Sequence, residues 1–164
     1  YLLAKKCGMD EEAAELLRLA APMHDVGKIG VPEAILNKPA KLSSQEFEVI
    51  KSHARIGYDI LSKSNRSIMK TAAITALQHH EHWDGNGYPQ GLKGEEIHIY
   101  GRIAAIADVF DALSHKRCYK DAWSREKIVD TFENEAGTHF DPELTALFLA
   151  DLDAFYGINR RFPE

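Results

Sequence analysis

Residues 79–84 read His-His-Glu-His-Trp-Asp, three histidines and two acids within six positions. The run passes straight into Gly85-Asn86-Gly87-Tyr88-Pro89. Imidazole and carboxylate together are a donor set for transition metals. The same side chains recur at His24-Asp25, at His53, and at Asp108 and Asp111, which stand one turn apart in an apolar stretch at 103–113. Taken singly, each has a plain alternative. A histidine such as His24 at a helix end is favoured by the helix dipole, and Asp25 is a ready turn former. His53 borders the apolar stripe of its own segment and says little alone. One of the two aspartates can cap a neighbouring helix.

The stripe leading to the first run removes part of that ambiguity. Met69, Ala72, Ala73 and Ala76 follow helical spacing, and extending them lands on His79 and His80, while His82 falls off. Both imidazoles are therefore expected to point inward. A buried polar ring without a partner costs about 1–3 kcal/mol, so two adjacent ones need a reason. Asp108 and Asp111, in so apolar a helix, are expected to be buried and to need a cation, a metal or several donors. Together His24, Asp25, His53, His79, His80 and Asp108 form an imidazole and carboxylate set without thiolate. It suits Fe, Mn, Ni or Zn and fits Mg or Ca poorly. Six side chains exceed the needs of one metal that keeps an open position. A pair of metals bridged by one carboxylate is the economical arrangement.

The elements that must position these residues read as helices. Asp10-Glu11-Glu12 can start one carrying Ala13, Leu16, Leu17, Ala20, Ala21 and His24, with Pro22 bending its end. Residues 26–42 hold two glycines and two prolines and read as a loop. Ser43 with Glu46 forms a capping box, flanked by Leu42 and Phe47 as a hydrophobic staple. The helix behind it carries Phe47, Ile50, Ala54, Tyr58 and Leu61. Further helices are expected at 66–82, at 102–113, from Ser124 to about 136, and behind Asp141-Pro142, the last clear one. No strand alternation, repeat or low-complexity segment is present. The fold class is all-α, a compact helical array, with one domain over 1–150 and a C-terminal tail over 151–164.

Composition bounds the partners. The 164 residues are 45% apolar and 27% charged, with a net charge of −5. That balance argues against a nucleic-acid-coating surface and leaves a small anionic ligand open. No apolar run reaches the ~20 residues that cross a bilayer, and no signal peptide is visible. Cys7 and Cys118 match no zinc or redox spacing, so reduced thiols and a cytoplasmic setting are expected. The first residues already look helical and lack an initiating Met, so the chain reads as a piece of a longer protein. No Ser-His-Asp or Cys-His arrangement convinces, Ser114-His115 being weak, and no phosphate-binding P-loop appears.

These residues resemble the HD superfamily of metal-dependent phosphohydrolases, and within it the HD-GYP branch. His24-Asp25-Val26-Gly27-Lys28-Ile29 with Pro32 matches HDxGKIxxP. Residues 79–89 match HHExxDGxGYP at every fixed position, and 108–113 and 137–142 match two further blocks. The likeness covers nearly the whole chain, and the eleven-residue block is specific. It implies hydrolysis of cyclic di-GMP to pGpG and/or GMP. Asp25 would bridge two divalent metals, Fe or Mn foremost, with Ni or Zn compatible. His24 and Asp108 would hold the first, and His53, His79 and His80 the second. A water shared by both, its pKa brought toward about 7, would attack phosphorus.

In the same resemblance Lys28 would meet a phosphate oxygen and act with Asp25 in catalysis. Tyr88 would line the pocket, and Arg117 and Lys120 would contact phosphates or bases. Glu81 and Asp84 would orient the site or cap the loop. The family's further histidine and a glutamate for a third metal lie one helix upstream of residue 1, so a third metal is not expected here. Implied partners are cyclic di-GMP, an upstream sensor or receiver domain, diguanylate cyclase domains through the GYP loop, and a second copy. No DNA or membrane contact is expected of this domain. Two rivals stay open: an HD phosphohydrolase acting on another nucleotide, and a non-catalytic nucleotide-sensing or protein-docking module.

Overall fold

The structure, a computed structural model, describes residues 1–115 and 122–161. The helices are α1 (Leu2–Lys6), α2 (Glu11–Ala20), α3 (Glu33–Leu36), α4 (Ser44–Leu61), α5 (Ser67–Gln78), α6 (Ile99–Ser114), α7 (Arg125–Glu135), α8 (Pro142–Leu149) and α9 (Leu152–Asn159). Among the described residues no strand occurs, and the β pairing is a single bridge between Ala136 and Phe140. The all-α class follows directly.

Local chemistry sets the helix starts. The Asp10 side chain accepts from the Ala13 N–H, Ser124 from Lys127, and Asp141 from Glu143 and Leu144 behind Pro142. Ser43 and Glu46 make both bonds of the capping box on α4. Each such cap contributes about 1 kcal/mol and fixes where its helix begins.

Packing divides into two cores. The larger gathers Leu3, Leu17, Ile106, Phe110, Ile128, Phe132, Phe140, Phe148 and Leu152. Its rings interlock, with Phe132 stacked on Phe140 at 4.7 Å and Phe110 edge-on to Phe148 at 5.1 Å. The smaller joins Ala20, Leu61, Ala72, Ala73 and Ala76. Alanine here is a spacing device: α5 packs against α4, α2 and α6 at once, and methyl side chains let three backbones approach it. Gly57 on α4 takes this furthest, since a Cβ there would sit 3.2 Å from that of Ala76. The site-bearing segments therefore converge around one small-residue hub.

Five sequence expectations change. The 26–42 stretch contains a 3₁₀ turn over Val26–Gly30 and the short α3, because the turn's backbone is pressed onto α4 and gains its order there. The helix expected over 66–82 ends at Gln78. Asp108 and Asp111 are not buried: their side chains keep 36% and 48% exposure, since α6 buries Ile103, Ile106 and Phe110 on its other side. Residues 152–159, within the stretch read as a tail, form α9, which buries Leu152 and sets Phe155 4.9 Å from Phe148. Phe47, expected on the inward stripe of α4, is 46% exposed; Ala54 and Leu61 hold that stripe.

Candidate metal centre

Four segments deliver the polar cluster. Helix α2 stops at Ala20, Pro22 sits in a 3₁₀ turn over Ala21–Met23, and His24-Asp25 follow as the chain turns again. Gly27 lets that turn lie on α4: a Cβ there would stand 2.0 Å from the His53 carbonyl oxygen and 2.4 Å from the Gly57 nitrogen. His53 projects from α4 beneath it, 1% exposed. His79 caps the C-terminus of α5, 2% exposed, and His80 follows it. Asp108 comes from the open side of α6.

The geometry centres on Asp25. Its Oδ1 lies 3.4 Å from His53 Nε2 and 3.9 Å from His79 Nε2. Its Oδ2 lies 3.4 Å from His24 Nε2 and 2.5 Å from Lys28 Nζ. His24 Nε2 in turn stands 3.7 Å from Asp108 Oδ1. Donor atoms of Asp25, His53, His79 and His80 all fall within 4.8 Å of one another. The two carboxylate oxygens thus face two different groups, His24 with Asp108 on one side and the three other histidines on the other.

Proton placement sharpens this. His24 Nδ1 faces the Ala21 carbonyl at 2.8 Å, His53 Nδ1 faces Ile50 at 2.6 Å, and His79 Nδ1 faces Ala76 at 3.0 Å. A carbonyl only accepts, so each Nδ1 carries a proton; in His53 and His79, which burial keeps neutral, Nε2 turns its lone pair inward. His53 Nε2 and His79 Nε2 then face each other at 3.4 Å. Asp25 Oδ1 is buried beside them with no hydrogen-bond partner. Asp25 Oδ1 and the Nε2 atoms of His53 and His79 thus converge with no donor between them, which is unfavourable alone and becomes favourable around a cation. Backbone carbonyls holding the far ring nitrogen are also how ligand histidines are oriented. The donor set is nitrogen and oxygen without sulfur, which fits a divalent transition metal.

Electrostatics agree. Burial, then the charges of His24 and His53, push the His79 imidazole down to about 3. Burial, then His79 and His53, push His80 down to about 2. Burial also lowers His53. Burial works against ionised Asp25, yet hydrogen bonds from His24 and Lys28 hold its carboxyl well below the usual range. Burial opposes the charge on His24, and bonds to Asp25 and Ala21 overcome it and raise its pKa. Tyr88 is pushed up by burial and by the Asp25 and Asp108 charges, so its phenol stays protonated and keeps an O–H to donate.

A stability prediction follows for metal-free protein. Unfolded His79 and His80 take protons near pH 6.5, whereas the folded rings wait until about 3 and about 2. Between those limits the unfolded chain binds more protons, so stability falls as pH falls. His24 works the other way, its contribution being present at low pH and lost as pH rises through its raised value, so it offsets part of this loss, while burial-lowered His53 adds to it. Thermal melts in chelator are expected to show a lower Tm at pH 5 than at pH 7. A flat profile would contradict the neutral buried rings.

The Gly-rich loop is tied down rather than loose. Glu81, 2% exposed, accepts from Gln90 N–H at 2.7 Å and Leu92 N–H at 3.0 Å. Tyr88 N–H donates to the His80 carbonyl at 3.1 Å, and Trp83 and Asp84 donate to the carbonyls of His139 and Thr138 at 3.0 and 2.9 Å. Gly87 passes so close that a Cβ would meet His82 N at 2.2 Å. Asp84 caps its own turn, accepting from Asn86 N–H and Nδ2. The Tyr88 ring consequently stacks on His80 at 4.7 Å.

Of the residues singled out in sequence, the structure brings together His24, Asp25, Lys28, His53, His79, His80, Tyr88 and Asp108. Arg117 and Lys120 lie outside the described residues. Asp111 turns to His115 at 3.1 Å instead of the cluster. His24, Asp108 and Asp111 line one open cleft of about 600 Å³ with Tyr1, Arg18 and Pro22. Sequence reasoning missed Lys51, whose ammonium lies 5.5 Å from the Tyr88 ring. Its place two residues before His53 on α4 was the available signal.

Comparison with known proteins places these features. The HD domain family matches residues 2–144. A 3'3'-cGAMP-specific phosphodiesterase 2 of Vibrio cholerae is 46% identical over 162 residues, 99% of this chain and 31% of that protein. A cyclic di-GMP phosphodiesterase of Thermotoga maritima is 46% identical over 147 residues, 90% of this chain and 40% of its own length. The chain thus spans about a third of the length of these curated relatives. A crystal structure of a cyclic GMP-AMP specific phosphodiesterase of V. cholerae superposes with a TM-score of 0.69 at 19% identity, covering 96% of this chain and 42% of that one. That superposition speaks to the fold alone. With the His-Asp pair, the three further histidines and the GYP loop assembled on the matching helices, the chain belongs to the HD domain family.

Proposed function

We propose that this domain is a metal-dependent phosphodiesterase that opens a phosphodiester bond of a cyclic purine dinucleotide, cyclic di-GMP foremost, to give pGpG and/or GMP. The observation that carries this is the convergence of the proton-free Nε2 atoms of His53 and His79 on Asp25 Oδ1, which is buried and unpartnered. His24, Asp108 and Asp25 Oδ2 would hold one divalent ion; His53, His79, His80 and Asp25 Oδ1 would hold the other. Fe or Mn suits the set best, and Ni or Zn is compatible. Such ions, when bound, supply a nucleophilic water at neutral pH and neutralise phosphate charge.

The chain's own residues do the rest. Asp25 stays ionised across the working range, and the neutral rings keep their lone pairs inward. Lys28 Nζ, held 2.5 Å from Asp25, is placed to meet a phosphate oxygen as charge develops there. Tyr88, fixed against His80, lines the mouth and offers an O–H. Arg117 and Lys120 would contact the nucleotide from the following segment. Upstream sensing domains and diguanylate cyclase partners belong to the same reading at the level of the whole protein.

A second substrate is favoured by one observation: the V. cholerae relative matched over 99% of this chain is named for 3'3'-cGAMP. A panel of cyclic di-GMP, 3'3'-cGAMP, cyclic di-AMP and a nucleoside triphosphate, each with Mn(II)-loaded protein, separates these. Turnover of either guanine-containing dinucleotide above the triphosphate supports the reading. Preference for the triphosphate, or binding of dinucleotide without cleavage, overturns it.

A further inference from the structure

Resting on the phosphodiesterase reading, we propose that Lys51 binds the second phosphate of the cyclic dinucleotide, the one not being cleaved. The substrate carries two phosphodiester anions in one ring. The Asp25 cluster and Lys28 account for one, and Lys51 is the described cation nearest that cluster's aromatic wall, Arg117 and Lys120 lying outside the described residues. Lys51 stands against the Tyr88 ring, which is stacked on His80 of that cluster.

The placement is built from α4. One turn separates Phe47 from Lys51, and two residues further on His53 enters the cluster. The Lys51 ammonium lies 5.0 Å from the Phe47 ring and 5.5 Å from the Tyr88 ring. Tyr88 is itself stacked on His80. The lysine is therefore one ring removed from a candidate metal ligand. Its side chain is 27% exposed and lodged between two aromatic faces, so little rotamer freedom is left to lose on binding. Its present partner is Glu48 at 2.7 Å, a carboxylate with a 68% exposed side chain. A surface pair of that kind is weak and exchanges readily for a phosphate. Arg55, the next cation on the helix, is committed to Asp59 and the Tyr58 face. Phe47, 46% exposed, offers a ring beyond Lys51 on which the attached base can stack.

The test compares Lys51→Met, which keeps the aliphatic stem, with Lys51→Arg, which keeps the charge. Kinetics on cyclic di-GMP are run beside equilibrium binding of cyclic di-GMP to the same metal-loaded protein. Lys51→Met is expected to raise both KM and Kd about tenfold with kcat within twofold, and Lys51→Arg to recover most of the loss. The difference is expected to shrink in high salt. An unchanged Kd in Lys51→Met overturns the proposal. So does an equal loss on bis(p-nitrophenyl) phosphate, which has one phosphate and would trace the defect to the reacting centre. Wild-type protein that binds cyclic di-GMP without cleaving it overturns the hydrolase reading alone, because Lys51 is judged on Kd.

Discussion

Replacing Asp25 by Ala is expected to lower kcat for cyclic dinucleotide by about three orders of magnitude or more, about 4 kcal/mol in the barrier. Metal content is expected to fall with it to below one ion per chain. The reason is positional. Asp25 is the residue whose two oxygens face both halves of the cluster, His53 and His79 from Oδ1, His24 from Oδ2. Removing it separates the halves and also frees Lys28 from its anchor. The fold should survive, since Oδ1 makes no hydrogen bond and the residue lies outside both apolar cores. Metal analysis, steady-state kinetics and far-UV circular dichroism on one preparation check all three statements. Retained metal with retained turnover would show that the histidines alone build the site.

Gly27→Ala is expected to do the opposite, damaging the fold first. The added methyl would stand 2.0 Å from the His53 carbonyl oxygen and 2.4 Å from the Gly57 nitrogen, both backbone atoms of α4. Neither can rotate away, so the 3₁₀ turn over Val26–Gly30 must lift off the helix. Overpacking against backbone costs about 3 kcal/mol, roughly 6–12 °C in Tm for a chain of this size. The same lift moves Asp25 away from His53, so metal affinity falls as well. Differential scanning fluorimetry with and without Mn(II) reads both effects. A Tm within 2–3 °C of wild type, with metal stabilisation intact, would mean that the turn is not pressed onto α4 as described (each kcal/mol being worth roughly 2–4 °C).

How far the sequence alone revealed this depended on the kind of signal. Caps were legible because they are local: Ser43 with Glu46, and Asp141 with Pro142, each act within three residues. The inward direction of His79 was legible from the alanine stripe, although the helix itself stops at Gln78 and delivers His79 as its cap. Asp108 was selected for a reason that does not hold, because an apolar composition along α6 does not say which side is covered. Ala107, Asp108 and Asp111 occupy the side that the phenylalanines do not need. The order in 26–36 was illegible for a non-local reason: Gly27 is required there by the backbone of α4, which lies far along the chain. The same holds for Lys51, which meets Tyr88 only once the GYP loop is tied back through Glu81. Helix α9 carries ordinary apolar residues whose partners, Phe110 and Phe148, lie in other helices.

The central claim is that the acceptors around Asp25 form a divalent metal site that cleaves cyclic dinucleotide. The direct measurement is metal content and cyclic di-GMP turnover on one preparation, as purified and after anaerobic loading with Fe(II) or Mn(II). Two ions per chain, turnover that rises with loading, and loss of both in Asp25→Ala are the expected results. Fully loaded protein that leaves cyclic di-GMP and 3'3'-cGAMP intact, or turnover that persists after chelation has removed the metal, would contradict the claim.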